Sequence, residues 1–281
     1  MFNGPVSSAR RLVPVPEGYS LSRTVGVLRH GASDPTCRTD ASGWWFGQAT
    51  PDGSATLSLR RTDDGVEAQG WGDGAAWAVD NAPHLLGCDD DPAGFVAHDA
   101  LAAEGARVMA GWRVARSRLV VQSLVPAIIE QRVTGKEAFA GHTRLVRRWG
   151  SPAPGPGADL GLMVPPAPRD WANIPSWEWI TSGIDKSRAE TAVRASTYAG
   201  RLEAVADLPL VEAHRRLRVL PGVGEWTAAE VAQRALGDPD SPSFGDYHMA
   251  KNLTWALTGT PAGDDEARAL LAPYTGQRYR A

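Results

Sequence analysis

The sequence predicts an α+β protein: a small antiparallel β-rich amino-terminal domain over residues 1–98, then an all-α helical domain over residues 99–281. Two observations predict it. From Tyr19 to about Leu86, short apolar or β-branched runs alternate with Pro51-Asp52-Gly53, Asp63-Asp64-Gly65 and Gly72-Asp73-Gly74, each a turn signal between antiparallel strands. After Cys88–Phe95 the apolar period lengthens to that of a helix, and helix start signals replace turn signals.

Taken in order, the first part reads as four or five strands. Trp44 and Trp45 fall within it, and strand alternation puts one ring inward and one outward, with core packing as the default role. Ser117 is in place to cap a helix that sets Val121, Leu124, Val125, Ile128 and Ile129 on one face and runs to about Arg132. Thr134 and Glu137 form a capping box for the next, whose inner stripe is Ala138, His142, Leu145, Val146 and Trp149. The proline-rich stretch from Trp149 to Trp171 is a connecting or extended segment. Asp185 then starts a helix with Ala189, Ala192 and Val193 inward, ending near Val205; Lys186 and Arg188 at its start read as a solvated end. Asp207 and Pro209 start another, which leads into the tight stretch Leu220-Pro221-Gly222-Val223-Gly224.

Composition bounds the function. Apolar residues make up 43% and charged residues 22% of 281, a globular balance, and no apolar run reaches the roughly 18 residues a membrane span needs. The opening stretch Met1–Ser20 lacks the apolar core of a secretion signal, so an intracellular, cytoplasmic and nucleoid-associated protein is expected. Cys37 and Cys88 cannot build a disulfide framework or a four-cysteine cluster, and the six histidines show no HExxH spacing; neither cofactor nor catalytic metal is expected. The net charge of -3 is uneven: nine basic against fourteen acidic side chains up to residue 115, twenty against eighteen beyond it. A local basic face in the second part is thereby permitted.

In the hairpin, Pro221 stops one helix, while Gly222 and Gly224 allow backbone conformations that a Cβ would block. Glu225 and Trp226 open the next helix, whose first amides have no intrahelical partner and suit a phosphate. On its own such a stretch is more often a plain helix–helix turn.

Three motifs in order change that reading. Leu220–Ala228, "LPGVGEWTA", resembles the hairpin of the helix-hairpin-helix DNA glycosylases; "PAIIEQRVTGKEA", Pro126–Ala138, resembles their helix with the I-x-x-Q pattern; and "SFGDYHMAKNL", Ser243–Leu253, resembles the loop that presents their catalytic aspartate. The similarity spans about residues 117–258 and is nearest to the bacterial 3-methyladenine DNA glycosylase II type, which also places a small β-rich domain first. It implies a helix-hairpin-helix glycosylase bundle acting as a monomer on double-stranded DNA with damaged bases. Gly222, Val223, Gly224 and Thr227 would contact the DNA backbone, with a monovalent cation at the carbonyls of Leu220 and Gly222. Gln131 and Arg132 would lie where a wedge enters the base stack, although an arginine departs from the apolar wedge of that type. Trp226, Glu230 and Tyr247 would line the base pocket, Glu230 standing where an aromatic wall is the rule.

Asp246, alone, is a helix N-cap; in the motif it is the catalytic carboxylate. Cleavage of an N-glycosidic bond builds positive charge on the sugar, which a fixed carboxylate stabilises while orienting a water. Trp226 occupies the position at which bifunctional relatives carry a nucleophilic lysine, so the expected activity is monofunctional, without lyase chemistry. Its indole face attracts a cationic alkylated purine, worth about 0.5 to 2 kcal/mol. A non-catalytic damage-binding module and a glycosylase for another damaged or mismatched base are the competing readings.

Overall fold

The computed structural model describes residues 7–281; the first six residues of the amino-terminal stretch read above lie outside them. Five strands form one sheet: β1 Ser8–Val13, β2 Cys37–Asp40, β3 Gly43–Thr50, β4 Gly53–Thr62 and β5 Gly65–Trp71. Their order is β1-β5-β4-β3-β2, and every neighbouring pair is antiparallel. The Pro51–Asp52 and Asp63–Asp64 turns fall where expected, between Thr50 and Gly53 and between Thr62 and Gly65. The third turn signal leads elsewhere. Residues after Gly74 form helix α1, Ala75–Asp80, not a strand, because Ala75, Ala78 and Val79 recur at helical spacing and all three are buried.

Leu57, Leu59, Val66 and Ala68 fill the inner face of the sheet with Trp44 and Phe46. The outer face is covered by the proline-rich segment, where Ala153, Leu162 and Val164 pack on Trp45 and Ala49 and the Thr56 hydroxyl donates to the Pro154 carbonyl at 2.6 Å. That double cover leaves β4 buried on both sides over Ala55–Leu59.

The helical part is built around α2, Val120–Ile129, every residue of which except Gln122 is buried. A helix in this position has no water to satisfy its end groups, and distant side chains do so instead. The amides of Val120 and Val121 donate to Glu203 at 2.8 and 2.9 Å, so Glu203, not Ser117, caps the helix. At the other end Arg188, buried rather than solvated, donates to the Ile129 carbonyl at 2.5 Å. The remaining main helices are α3 Gly135–Trp149, α4 Lys186–Thr197, α5 Leu210–Arg218, α6 Glu225–Val231, α7 Met249–Thr258 and α8 Asp264–Leu271. The Thr134–Glu137 capping box opens α3 as read from the sequence, and Asp185 caps α4. α4 stops at Thr197, short of Val205, and the turn beyond it brings Glu203 to α2. Asp207 pairs with Arg118 at 2.6 Å, leaving Pro209 as the residue that starts α5.

Three cores result. The largest joins α2 to α6, the second lies inside the sheet, and a satellite of Phe244, Ala250, Ala267, Leu271 and Tyr274 holds α7 and α8. Sheet and helices are tied by polar contacts: Gln122 accepts from the Ala49 amide at 3.0 Å, His30 Nδ1 meets Glu130 at 2.8 Å, and Arg234 donates to the Val27 carbonyl at 3.1 Å. Beside His30, burial pushes His142 down to about 4, with the neighbouring His30 acting in the same direction. No helix among the described residues is long and apolar enough to cross a membrane.

Candidate functional site

The bend between α5 and α6 is fixed from behind. Gly222 has φ +95°, in the region that favours glycine, and a Cβ there would stand 2.4 Å from the Thr191 hydroxyl oxygen of α4. Val223 is buried, and its amide donates to the Leu220 carbonyl at 3.0 Å. Pro221, Gly222 and Gly224 are exposed, and no side chain caps the start of α6. The expected phosphate-contacting surface is therefore backbone, with the Arg194 guanidinium beside it, donating to the Pro221 carbonyl at 3.1 Å.

Gln131, expected near the base stack, braces the bend instead. Its Nε2 donates to the Gly222 carbonyl at 2.9 Å and to the Thr227 hydroxyl at 2.8 Å. Thr227 is 2% exposed and turned inward to receive that bond, so its side chain does not reach the surface where backbone contact was expected. Both Leu220 and Gly222 carbonyls already accept hydrogen bonds, and a monovalent cation would have to share them with those donors. Arg132, the next residue, is exposed with φ 58°. A non-glycine side chain held in the left-handed region carries strain of about 1 kcal/mol or more, and here it is fixed between the Gln131 brace and the Thr134 capping box.

Asp246 lies on the loop that enters α7. Its Oδ1 accepts from the amides of His248 and Met249 at 2.8 and 2.9 Å, a turn just ahead of the helix; the N-cap is His248 rather than Asp246 as read from the sequence, because α7 begins only at Met249, and Asp246 is half-exposed. The loop rests on α6: at Gly245, φ +89°, a Cβ would lie 3.7 Å from Trp226 Cβ. Gly245 and Trp226, 19 positions apart, thus stand side by side, and Trp226 is half-buried.

The other two expected pocket residues are placed differently. Tyr247 is 72% exposed and lies under Lys251, with the ammonium 4.0 Å from its ring centroid. Glu230 is buried, pairs with Arg234 at 2.6 Å and receives the Ser243 hydroxyl. A cleft of about 540 Å³ opens along the Glu225–Ala229 side of α6, reaching Phe244 and Arg268; Asp246 and Trp226 are not among its walls. Trp44 is an inner-face residue stacked on Phe46, and Trp45 stacks outside on Trp71, so neither reaches this site.

Sequence reasoning missed the groups that fix the loop before Asp246. Asp238 accepts from His214 at 2.8 Å, and Asp240 from Arg278 at 2.5 Å. Burial raises both carboxyls, but the hydrogen bonds from His214 and Ser241, and from Arg278, outweigh it and hold them below the ordinary range. Asp-Pro-Asp-Ser-Pro reads locally as a turn, and nothing in it points to partners on α5 or at the carboxyl terminus.

No family model matches the chain. It is 31% identical over 188 residues to a probable bifunctional transcriptional activator/DNA repair enzyme of Mycobacterium tuberculosis, a match covering 63% of this chain; the chain spans about a third of that relative's length, 36%. Among solved structures it is similar to a 3-methyladenine DNA-glycosylase from Archaeoglobus fulgidus, with TM-score 0.80, 16% identity and coverage of 97% of this chain and 94% of that one. It is also similar to an 8-oxoguanine glycosylase/lyase of Clostridium acetobutylicum, with TM-score 0.71, 12% identity and coverage of 98% and 95%. The fold is that of the helix-hairpin-helix DNA glycosylases.

Proposed function

We propose that the protein is a monofunctional DNA glycosylase that hydrolyses the N-glycosidic bond of alkylated purines in double-stranded DNA, as a monomer in base-excision repair. The observation that carries this reading is the packing of the Asp246 loop against Trp226 at the start of the hairpin's second helix. In this reading the exposed backbone of Gly222 to Gly224 grips a phosphate beside the lesion, a contact without sequence information that suits an enzyme surveying any DNA. The damaged nucleotide is turned out of the stack, at a cost of a few kcal/mol that is smallest for weakened pairs.

Asp246 then faces the anomeric carbon. As the bond to the base breaks, its electron pair leaves with the purine, the sugar becomes positive, and the carboxylate stabilises that charge. A water attacks the same carbon and gives up its proton to the Asp246 carboxylate, which returns it to solvent, leaving an abasic sugar and a free base. An alkylated purine departs as a cation losing its charge, and so needs little acid assistance. Trp226 supplies stacking and no amine, which supports hydrolysis without a Schiff base. The similarity to glycosylases for alkylated bases also supports the substrate class, and the β-rich residues 1–98 serve as a supporting domain.

The test is incubation with methylated duplex DNA, with release of free 3-methyladenine or 7-methylguanine expected and alkali needed to break the strand. Asp246→Asn is expected to lower release at least about 100-fold, in the range of a lost charge-stabilising group, while keeping affinity for abasic-site DNA. Release of 8-oxoguanine with strand cleavage, and none from methylated DNA, would establish the glycosylase/lyase reading instead.

A further inference from the structure

Glu230 was expected at the base pocket, yet both of its carboxylate oxygens are engaged elsewhere. Oε1 receives the hydroxyl of Ser243, and Oε2 receives Arg234 Nη1 at 2.6 Å. The Ser243 carbonyl in turn accepts the amide of Asp246 at 3.1 Å. Gln233 closes the arrangement, donating to the Ser241 carbonyl at 2.6 Å and to the Ser243 hydroxyl at 3.0 Å. The hydroxyl thus donates once, to Glu230, and accepts once, from Gln233.

The backbone is shaped for these contacts. Directly after α6 the chain widens into a π segment, Ala232–Leu236, and a π turn displaces the side chains that follow it. Consecutive residues then point apart: Gln233 to the Asp246 loop, and Arg234 to the Val27 carbonyl at the edge of the amino-terminal part. A buried ion pair is a poor way to gain stability compared with apolar packing of the same volume. What it supplies is a fixed register, and the loop it fixes has little apolar anchoring of its own, with only Phe244 in the satellite core before α7.

We infer that Glu230 is a positioning residue: its carboxylate bridges Arg234 and Ser243 and thereby sets where the Asp246 loop stands against the hairpin. The inference rests on the assignment of Asp246 made above. A misplacement of about 1 Å at a reacting centre costs on the order of 100-fold in rate, which gives a small buried contact a large kinetic reach.

The experiment compares the full chain with Glu230→Gln, Ser243→Ala and the double variant, using methylated duplex DNA and amide hydrogen exchange. Ser243→Ala cuts the bridge without leaving a buried charge alone, so it reads the same contact if Glu230→Gln folds poorly. Both single variants are expected to lower kcat roughly 10- to 100-fold with little change in KM, and the double variant to be no slower than Glu230→Gln, since the two share one contact. Amides of residues 241–247 are expected to exchange faster while those of the hairpin do not. A raised KM with unchanged kcat would return Glu230 to the base pocket, and additive losses or unaltered exchange in 241–247 would also overturn the inference. If the unmodified chain releases no base, the proposed function fails, and the exchange result still decides whether Glu230 fixes the loop.

Discussion

The two halves of the candidate site are held in opposite ways. The hairpin stands on the largest core: Leu217, Leu220, Val223, Ala228 and Val231 belong to the same buried cluster as α2 and α4. The carboxylate segment stands on five buried residues and otherwise on polar contacts, among them Gly245 to Asp264 at 2.8 Å and the Gln233 and Glu230 bonds to Ser243. Elements with few apolar contacts open locally at lower free energy than elements of the main core. The hairpin is therefore the rigid half, and the segment to which the proposed chemistry is assigned is the half that can adjust.

The largest expected effect tests the anchoring directly. Leu217→Ala, in the main core, should lower the unfolding free energy by about 2–5 kcal/mol, read from denaturant midpoints. Phe244→Ala should cost less globally and speed hydrogen exchange within residues 241–258; equal global losses would break the contrast. Gly222→Ala should destabilise by about 1–3 kcal/mol and weaken abasic-DNA binding, because the left-handed backbone and the Thr191 oxygen both oppose a Cβ. The smallest effect concerns acid. Asp238 and Asp240 titrate below the ordinary range, so the stability they give is present above the unfolded aspartate value near about 4 and is lost as pH falls through their lower folded values. Limited digestion by an acid protease should therefore cut within residues 238–246 before it touches the hairpin, and simultaneous cleavage would count against the separation.

What could be read in advance follows from range along the chain. The β-hairpin turns, the Thr134–Glu137 box and the apolar stripe of α2 are set by neighbours within a few residues, and all appear in the structure. Trp226 and the Asp246 loop, assigned to one site through the resemblance, lie close together at Gly245. Glu203 and Arg188 as the end groups of α2 and Thr227 turned toward Gln131 were not legible, since each depends on which distant element arrives alongside. α1 was misread for a different reason: a Gly-Asp-Gly turn followed by small apolar residues suits either period, and burial of Ala75, Ala78 and Val79 decided it.

One amide group ties the bend to the neck between α2 and α3. Through Gln131, Gly222 and Thr227 share a rigid link with the residue directly before Arg132. The exposed bend and the exposed arginine are thereby tied through one side chain, so a displacement of either draws on the same two hydrogen bonds.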